Sequence, residues 1–534
     1  MMIRRFVVAA GVSFALVAGA MTSLPAATAV PVQAKPSSYT PPPIQWGTCA
    51  SAGLARRGAQ CGYVEVPLDY SRPDGTKIQL AVSRIKHKTP DAQAQGPMLV
   101  NPGGPGGSGL TLAVLGEFVP NHGGDPYDWI GFDPRGVGSS VPSLHCIADY
   151  AGYNRPFYIP VTRQVEHVWI QRSKAYAQAC DSAQHALLGH LTTVDSVRDM
   201  ESIRKALGAP QINYYGFSYG TYLGQVYGTL YPDRLRRAVF DGVVNATRVW
   251  YQANLDQDVA FNKSVKVFFA YVAAHDSTWH LGTTEAAVEK QYYKQLLKLA
   301  GHPADGKIGP DEWTDIFTQA AYYVYGWVDV AGAFAAWVHD ANAAPLVALY
   351  GGPPFDDNLL AVYLGVSCTD AKWPTNWNTW RRDNWNYFAK APFLTWANAW
   401  FNAPCAFWPA KAGNPVKVDG SRVKSLLMIN ETLDAATPYS GALQTRKTFP
   451  HSALIEGVGG TTHAGSLSGV ACTDDRIAAY LLTGALPARV SGNRSDVQCA
   501  PVPAPQPAAA LSPAAKAASS LAAERHALTQ LDPR

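Results

Sequence analysis

A serine, an aspartate and a histidine lie along this 534-residue chain in surroundings suited to nucleophilic catalysis. Ser218 is the centre of a Gly-Phe-Ser-Tyr-Gly pentapeptide that begins at Gly216. Asp434 follows an apolar run that ends at Ile429, and His463 lies in a glycine-rich loop after a further apolar run. A histidine that is oriented by a carboxylate can take the proton of a serine hydroxyl and make it a nucleophile. The three residues therefore predict acyl transfer through a covalent serine intermediate.

Each of these three residues is predicted to follow a strand. The run 212–215 precedes the pentapeptide, and the helix-compatible stretch 221–227 follows it. Strand, sharp turn and helix form a nucleophile elbow, whose flanking positions must be small because a β-carbon there would strike neighbouring backbone. The runs 423–429 and 452–457 are the predicted strands before the acid and the histidine. The chain order serine, acid, histidine is the order of an α/β hydrolase.

A glycine-rich loop at 101–109 is the candidate oxyanion hole, since it follows the predicted strand 96–100. Acyl transfer builds negative charge on a carbonyl oxygen, and two N–H groups aimed at that oxygen stabilise the transition state. We assign these two donors to Gly104 and Tyr219. The loop lacks the Lys and Ser/Thr ending of a phosphate-binding loop. The segment 129–140, which contains Asp-Pro-Arg-Gly-Val-Gly, is predicted to form the next strand and a turn that supports the glycine loop.

Together these motifs resemble those of the secreted tripeptidyl aminopeptidases of the prolyl aminopeptidase group, which are α/β hydrolases. The resemblance rests on the glycine loop, on Asp-Pro-Arg-Gly-Val-Gly, Gly-Phe-Ser-Tyr-Gly-Thr-Tyr and Leu-Asp-Ala-Ala-Thr-Pro, and on the His463 loop. It extends from about Trp46 to Cys499. It implies that Ser218 is the nucleophile, that His463 is the base and that Asp434 orients His463. No motif in the chain calls for a metal or an organic cofactor.

Two positions depart from the family pattern, and one further carboxylate competes for the role of the acid. Pro102 precedes the glycine pair where many relatives have Asn or His, which would shift the oxyanion loop slightly. Glu431 stands where many relatives have Gly, which would alter specificity. Asp241 ends the predicted strand 235–244 and is a rival of Asp434.

The predicted fold is α/β, an α/β hydrolase with a mostly parallel central sheet and a large helical cap inserted before the strand that carries the acid. The alternation of strands and helices stops after Asn245, where helical, aromatic-rich sequence takes over until about Gly420. We expect the tail to be poorly ordered or loosely docked, because it is rich in Ala and Pro. The predicted organisation is a signal peptide and leader at 1–34, core at 44–245, cap at 246–420, core again at 421–500, and the tail at 501–534.

Tryptophans crowd the second half of the predicted cap. The favoured interpretation is that their rings form the core of the cap and pack it onto the body. The alternative is that a few of them line a cleft for peptide side chains. The residues are Trp373, Trp377, Trp380, Trp385, Trp396, Trp400 and Trp408.

The N-terminus predicts export. Arg4 and Arg5 precede an apolar stretch at 6–20 and small residues that end near 29 or 34. This is the pattern of a cleaved signal peptide, and the apolar stretch is shorter than the roughly 20 residues that span a bilayer. The arginine pair resembles an incomplete twin-arginine signal, so the Sec route is favoured. We expect a secreted, extracellular enzyme with no stable membrane association.

Cysteine usage agrees with export. All eight cysteines lie after the signal peptide, and an even number in an exported protein favours disulfides over metal ligation. Eight cysteines allow many pairings that the sequence alone does not separate. Pairing of neighbours along the chain is the simplest hypothesis: Cys49 with Cys61, Cys146 with Cys180, Cys368 with Cys405, and Cys472 with Cys499.

The charge distribution and the motifs leave three classes of function. A net charge of +4 from 44 basic and 40 acidic residues, with no basic block, excludes a nucleic-acid partner. The leading prediction is a secreted serine exopeptidase that releases tripeptides, other short peptides or single residues from free N-termini. The alternative is a secreted carboxylesterase or amidase with the same triad, and the third class is a non-catalytic binding protein.

The peptidase and the esterase differ in one requirement. Only an aminopeptidase must neutralise a substrate ammonium, which calls for a carboxylate in or under the cap. Glu431 and Asp370 are the candidates by position. The number of residues released, the side-chain preference and the oligomeric state stay open.

Overall fold

Ten strands form one sheet in the residues that the computed structural model describes, which are 39–351, 355–507 and 523–528. The predicted signal peptide lies outside these residues. The strands are β1 Gly47–Thr48, β2 Gln60–Pro67, β3 Lys77–Ile85, β4 Pro97–Asn101, β5 Asp128–Phe132, β6 Ile212–Phe217, β7 Leu235–Asp241, β8 Leu426–Glu431, β9 Ser452–Gly457 and β10 Val497–Cys499.

The order of the strands across the sheet is β1-β2-β3-β5-β4-β6-β7-β8-β9-β10. Antiparallel pairs join β1 to β2, β2 to β3 and β3 to β5. The remaining pairs are parallel: β5 with β4, β4 with β6, β6 with β7, β7 with β8, β8 with β9, and β9 with β10. This arrangement confirms the predicted mostly parallel sheet. The carboxyl ends of β4, β6, β7, β8 and β9 therefore meet at one edge, where ligands of such sheets bind.

Helices cover the sheet and fill the long connection between β7 and β8. They are α1 Ala52–Arg56, α2 Arg163–Leu188, α3 Thr193–Ala206, α4 Tyr219–Leu230, α5 Tyr251–Ala274, α6 Asp276–Trp279, α7 Glu285–Gly301, α8 Pro310–Tyr322, α9 Trp327–Asp340, α10 Ala344–Tyr350, α11 Asp357–Asp370, α12 Trp377–Phe388, α13 Thr395–Asn402, α14 Tyr439–Thr448 and α15 Ala471–Thr483. Shorter 3₁₀ helices are Asp91–Gln93, Leu110–Phe118, Pro232–Arg234, Val324–Gly326 and Ala403–Phe407.

Both faces of the central strands are buried, which explains why their sequences are continuous apolar runs. All six residues of β6, of β8 and of β9 are buried. Successive side chains point to opposite faces. In β4, Leu99 packs into a core with α3 and α4, whereas Met98 and Val100 pack into a core with α15.

The helices α5 to α13, which we call the cap, have an apolar core of their own. Phe268, Trp313 and Phe334 are fully buried in it. The predicted tryptophan cluster is mainly a packing core, since Trp380, Trp396 and Trp400 are each 1% exposed. Trp377 stacks on Trp400 with a centroid distance of 4.9 Å.

All eight cysteines are paired in the structure, as predicted from adjacency. The disulfides join Cys49 to Cys61, Cys146 to Cys180, Cys368 to Cys405 and Cys472 to Cys499. In the part of the chain that the structure describes, no helix has both the length and the apolar character needed to cross a membrane.

The predicted loose docking of the tail is wrong for two described stretches. Val502 donates its backbone N–H to Glu431. Arg525, in the helical turn 523–527, has a relative exposure of 0%. The Ala- and Pro-rich composition of the tail predicts little ordered structure. The contacts of Val502 and Arg525 depend on individual polar groups, which an overall composition does not reveal.

Candidate active site

Ser218 lies in the strained turn between β6 and α4. Its backbone has φ 55° and ψ −126°, a left-handed conformation that a serine adopts at a cost. The flanking glycines are required by close backbone. A β-carbon on Gly216 would lie 2.6 Å from the carbonyl oxygen of Gly220, and one on Gly220 would lie 2.8 Å from that of Asn101. The sequence motif therefore has the geometry of a nucleophile elbow.

Asp434 and His463 are in direct contact. His463 Nδ1 lies 2.9 Å from Asp434 Oδ2 and 3.0 Å from Oδ1. The carboxylate also accepts the backbone N–H groups of Ala436 and Thr437 and the Thr437 hydroxyl, the last at 2.7 Å. Both triad residues are buried. The carboxylate is thus fixed by several donors and can hold the imidazole in one orientation.

The main chain around His463 is held by elements far away in sequence. Its N–H donates to the carbonyl of Tyr322, the last residue of α8, at 2.9 Å. Arg525 Nη1 donates to the carbonyl of the next residue, Ala464, at 2.9 Å. Gly242 packs against the ring, because a β-carbon there would lie 2.9 Å from His463 Cε1. The cap and the tail both position the histidine.

Asp241, the rival carboxylate, links the elbow to the histidine loop instead of contacting the imidazole. Its carbonyl accepts the Ser218 N–H at 2.9 Å, and its Oδ2 accepts the Ser466 N–H at 2.8 Å. Arg525 Nη2 is 3.8 Å from Oδ2. Burial raises the pKa of Asp241, and the charge of Arg525 opposes that rise.

The glycine loop lies directly against the elbow. Gly103 has φ +96°, and a β-carbon on it would lie 2.5 Å from the Phe217 carbonyl oxygen and 2.9 Å from the Tyr219 nitrogen. Tyr219 is the first residue of α4, where a helix leaves its N–H without an intrahelical partner. Gly104 and Ser218 line the same cavity. The two predicted oxyanion donors are therefore neighbours.

Asp133, from the Asp-Pro-Arg-Gly segment, holds the end of this loop. Its carboxylate accepts the Ser108 hydroxyl at 2.6 Å, the Gly109 N–H at 3.0 Å and the Ser139 N–H at 2.8 Å. The predicted supporting role of this segment agrees with these contacts. Because the hydrogen bonds tie two loops together, the glycine loop is held in place before substrate arrives.

Two cavities meet at Ser218. The larger, about 170 Å³, also contains Gly104 and His463 from the core. Residues of α5, α8, α11 and α13 line it, so the cap covers Ser218. Of the seven tryptophans considered as cleft residues, only Trp400 is among the described lining residues. The smaller cavity, about 70 Å³, extends from Ser218 toward Arg248 and Trp250.

Glu431 and Asp370, the predicted ammonium ligands, do not line either of these cavities among the described residues. Glu431 accepts the backbone N–H groups of Thr462 and Val502, and burial raises its pKa to about 8. Asp370 accepts the N–H and the hydroxyl of Thr193 at 2.7 and 2.6 Å, and burial raises its pKa to about 6. The structure brings neither carboxylate to the cavities at Ser218.

A different carboxylate, which sequence reasoning missed, lines the larger cavity. Asp315 lies in α8 and pairs with Arg155 Nη2 at 2.6 Å, and the Tyr158 hydroxyl donates to Asp315 Oδ1 at 3.1 Å. Asp315, Thr318 and Tyr322 all line the cavity. Their spacing of three and then four residues is that of one helix face, which was the only signal in the sequence.

Comparison with known proteins places the chain in a family. Residues 391–515 match the family model described as TAP-like protein. A tripeptidyl aminopeptidase of Streptomyces coelicolor is 42% identical over 478 residues, which cover 87% of each chain. The chain belongs to the tripeptidyl aminopeptidase family. More distant members of this similarity group are serine protease Hip1 of Mycobacterium tuberculosis, 28% identical over 83% of this chain and 90% of that one, and carboxylesterase B of the same species, 29% identical over 86% and 90%.

Membership in the tripeptidyl aminopeptidase family confirms the resemblance recognised from the motifs. The protein is a serine hydrolase with the α/β-hydrolase fold, and its relatives support a peptidase function. In this family member, the elbow serine, the Asp434–His463 pair and the glycine loop lie at the same edge of the sheet. That arrangement can perform acyl transfer.

Proposed function

We propose that the protein is a secreted serine exopeptidase that releases tripeptides from free N-termini of peptides. The observation that carries the proposal is the Asp434–His463 pair beside Ser218 in a cavity covered by the cap. A covered cavity limits access to chain ends, whereas an endopeptidase needs an open cleft through which a chain can pass. The 42% identity to a tripeptidyl aminopeptidase supports the same conclusion.

The acylation step begins with proton transfer from Ser218 Oγ to His463 Nε2 as Oγ attacks the substrate carbonyl carbon. Asp434 accepts the hydrogen bond from Nδ1 and stabilises the imidazolium that forms. The N–H groups of Gly104 and Tyr219 stabilise the charge on the carbonyl oxygen. The carbon–nitrogen bond then breaks, and His463 gives its proton to the departing amine. The product is an ester between Ser218 and the N-terminal fragment.

Deacylation repeats these steps with water. His463 takes a proton from a water molecule as the water oxygen attacks the ester carbonyl carbon, and the N–H groups of Gly104 and Tyr219 stabilise the second tetrahedral intermediate. The ester bond to Ser218 breaks, and Oγ recovers the proton from His463. The released fragment leaves as a carboxylic acid, and the free enzyme is restored.

The proposal of export rests on the sequence of the N-terminus and on the disulfides. Structural disulfides persist in oxidising compartments and are rare in the cytosol. Four of them cross-link this chain. We expect that a bacterial host that secretes proteins will release this protein into the culture medium, with an N-terminus near residue 30 or 35.

The decisive experiment compares kcat/KM for one tripeptide p-nitroanilide with a free and with an acetylated N-terminus. Pairing of a substrate ammonium in a partly desolvated cavity contributes about 2 to 5 kcal/mol, so acetylation should lower kcat/KM by about 30-fold or more. Equal values for the two substrates would refute an aminopeptidase.

A carboxylesterase is the second candidate, because a relative of that name is 29% identical over 86% of the chain. It would use the same acyl-enzyme steps without an ammonium site. Under this alternative, short p-nitrophenyl esters would be turned over efficiently while tripeptide amides would not be cleaved. The opposite ranking favours the peptidase.

A further inference from the structure

The face of α8 that lines the larger cavity connects the catalytic histidine to a charged cluster. At one end of the helix, the Tyr322 carbonyl accepts the His463 N–H at 2.9 Å. Thr318 lies one turn away along the same face, and Asp315 lies almost two turns away. All three residues line the cavity that contains Ser218. The helix therefore forms one wall of the cavity, from the main chain of His463 to Asp315.

The cluster at Asp315 holds three carboxyl groups and one guanidinium. Asp311, Glu312 and Asp315 surround a single guanidinium, that of Arg155. Glu312 also caps α8, because its Oε2 accepts the Gly309 N–H at 2.9 Å. Asp311 accepts the Tyr158 N–H at 2.7 Å through Oδ1. Burial raises the pKa of Asp311 and of Glu312 and so favours their neutral forms. Asp315 is the carboxylate of the cluster that both pairs with Arg155 and lines the cavity, where it can accept hydrogen bonds from a substrate ammonium.

Unsatisfied polar atoms point to a ligand at this end of the cavity. Within the described ranges, Asp311 Oδ2 and Arg155 Nε are buried and have no hydrogen-bond partner, and of these two residues only Arg155 is among the described lining of the cavity. The Arg155 side chain is 6% exposed and lines the cavity. Buried polar groups are normally paired, and exceptions often mark functional sites. A carbonyl oxygen beside Arg155 Nε would supply the missing acceptor, and the N-terminal residue of a peptide carries such an oxygen together with an ammonium group for Asp315.

The length of the wall sets the number of residues between the ammonium and the scissile bond. Tyr322 and Asp315 are seven residues apart in α8, a rise of about 10 Å at 1.5 Å per residue. A peptide segment of three extended residues spans at most about 10 to 11 Å, whereas two residues span about 7 Å. We infer that Asp315, with Arg155, binds the N-terminal ammonium group of the substrate, and that α8 limits the acyl fragment to three residues.

This inference deepens the proposed function and rests on it. A dipeptide amide that reaches Ser218 leaves its ammonium about 3.5 Å short of Asp315, and a tetrapeptide amide has one residue too many to fit before the cluster. The remainder of a longer substrate, beyond the scissile bond, has the smaller cavity beside Arg248 as its path.

The first experiment measures kcat/KM for di-, tri- and tetra-alanine p-nitroanilides with free and acetylated N-termini. For the wild-type enzyme, the free tripeptide should exceed both other lengths by at least about tenfold. For the tripeptide, kcat/KM with a free N-terminus should exceed kcat/KM with an acetylated N-terminus by about 30-fold or more. A ratio near one would refute the proposed function itself. A high ratio with no preference for three residues would refute the measuring role of α8.

The second experiment substitutes Asp315 and keeps the same substrates. Asp315→Asn should lower the ratio of kcat/KM for the free tripeptide to kcat/KM for the acetylated one to below about 5. The change should lie mainly in KM, because the asparagine side chain carries no charge. Asp315→Glu retains the carboxylate and should retain most of the ratio. Since Arg155 then lines the cavity without the carboxylate of Asp315, its charge is free to attract an anionic substrate, and Asp315→Asn should also raise kcat/KM for N-succinyl-trialanine p-nitroanilide at least about threefold relative to the acetylated substrate.

Asp329→Asn is the matched control, because Asp329 is an exposed carboxylate of the neighbouring cap helix α9 and is outside the described lining of the cavity. It should leave all ratios unchanged. General damage to the fold by Asp315→Asn would lower kcat/KM for every substrate and would not produce the gain with the succinylated one. An Asp315→Asn enzyme that keeps the wild-type ratio, while the wild type itself prefers free amines, would overturn the inference and leave the proposed function standing.

Discussion

Arg525 offers a test of whether the tail belongs to the catalytic machinery. Its guanidinium is fully buried, donates to the Ala464 carbonyl at 2.9 Å, lies 3.8 Å from Asp241 Oδ2 and covers the Phe217 ring at 4.8 Å. These contacts reach the residue after the catalytic histidine and the residue before the nucleophile. Arg525→Met keeps most of the apolar volume and removes the charge and the donors.

The expected loss of stability follows from the groups left behind. Removing one partner of a buried ion pair costs about 3 to 5 kcal/mol when the other stays charged. Asp241 can take up a proton instead, because burial already raises its pKa. The separation of 3.8 Å is also long for an ion pair. The hydrogen bond to Ala464 adds about 1 kcal/mol. We therefore expect Arg525→Met to lower the free energy of unfolding by about 3 kcal/mol at pH 8.

The pH dependence of this loss has a definite sign. The folded-state pKa of Asp241 lies above its unfolded value, so the folded protein binds a proton that the unfolded chain has lost, and stability falls as the pH rises between these two values. Arg525 lowers the folded-state pKa, and removing it widens that interval. The difference in stability between wild type and Arg525→Met should therefore be smallest near pH 4 and grow toward pH 8.

Denaturant unfolding and kcat/KM at several pH values measure both effects. Asp241→Asn in the Arg525→Met background removes the unpaired charge and keeps an acceptor for the Ser466 N–H, so it should restore part of the stability. Glu524→Gln is the control, because that side chain is 51% exposed and pairs with Arg57 at the surface. Unchanged stability and unchanged kcat/KM of Arg525→Met at pH 8 would refute the positioning role of the tail.

Three further substitutions test the site residues. Ser218→Ala should lower kcat by at least about 10⁴-fold without unfolding the protein, because alanine keeps the β-carbon in the same turn; residual activity near wild type would exclude Ser218 as nucleophile. Thr437→Val removes one donor to the Asp434 carboxylate at nearly constant volume and should lower kcat about 3- to 30-fold with little change in KM, as measured by steady-state kinetics. Glu431→Gln replaces one of two acceptor oxygens by an NH₂ group that faces a backbone N–H. Thermal or denaturant unfolding should therefore show a free energy of unfolding that is about 1 to 3 kcal/mol lower, while the preference for free over acetylated substrates stays as in the wild type.

The parts of the fold that were predictable from the sequence are those encoded locally. The elbow depends on Gly216 and Gly220, whose close backbone contacts lie within a few residues or in an adjacent strand. The strands before Asp434 and His463 are apolar runs bounded by turn residues, which a buried parallel strand requires. Pairing of adjacent cysteines, the simplest of the pairings that the sequence leaves open, is also local, because each pair closes a segment of at most 37 residues.

The ammonium site was not predictable, because it depends on which face of a cap helix meets the core. Asp315 is 97 residues from Ser218 along the chain, and its helical spacing to Tyr322 indicates a face without indicating its neighbour. Glu431 is a candidate from the sequence by its position. At the end of β8 its side chain instead turns toward Thr462 and Val502, whose N–H groups occupy it. Position along the chain alone does not determine which way a buried carboxylate points.

The backbone contacts of the His463 loop give the cap a role beyond covering the site. The backbone of the loop is held by the Tyr322 carbonyl from α8 and by Arg525 from the tail, in addition to Glu431 and Asp241 from the core, while Asp434 contacts the imidazole. The helix that carries Asp315, the proposed ammonium ligand, therefore also helps to position His463, the proposed base. Because Asp315 and Tyr322 belong to the same helix, a substrate ammonium bound at Asp315 is held at a constant distance from His463. The length of α8 between these two residues then determines how many residues the enzyme releases.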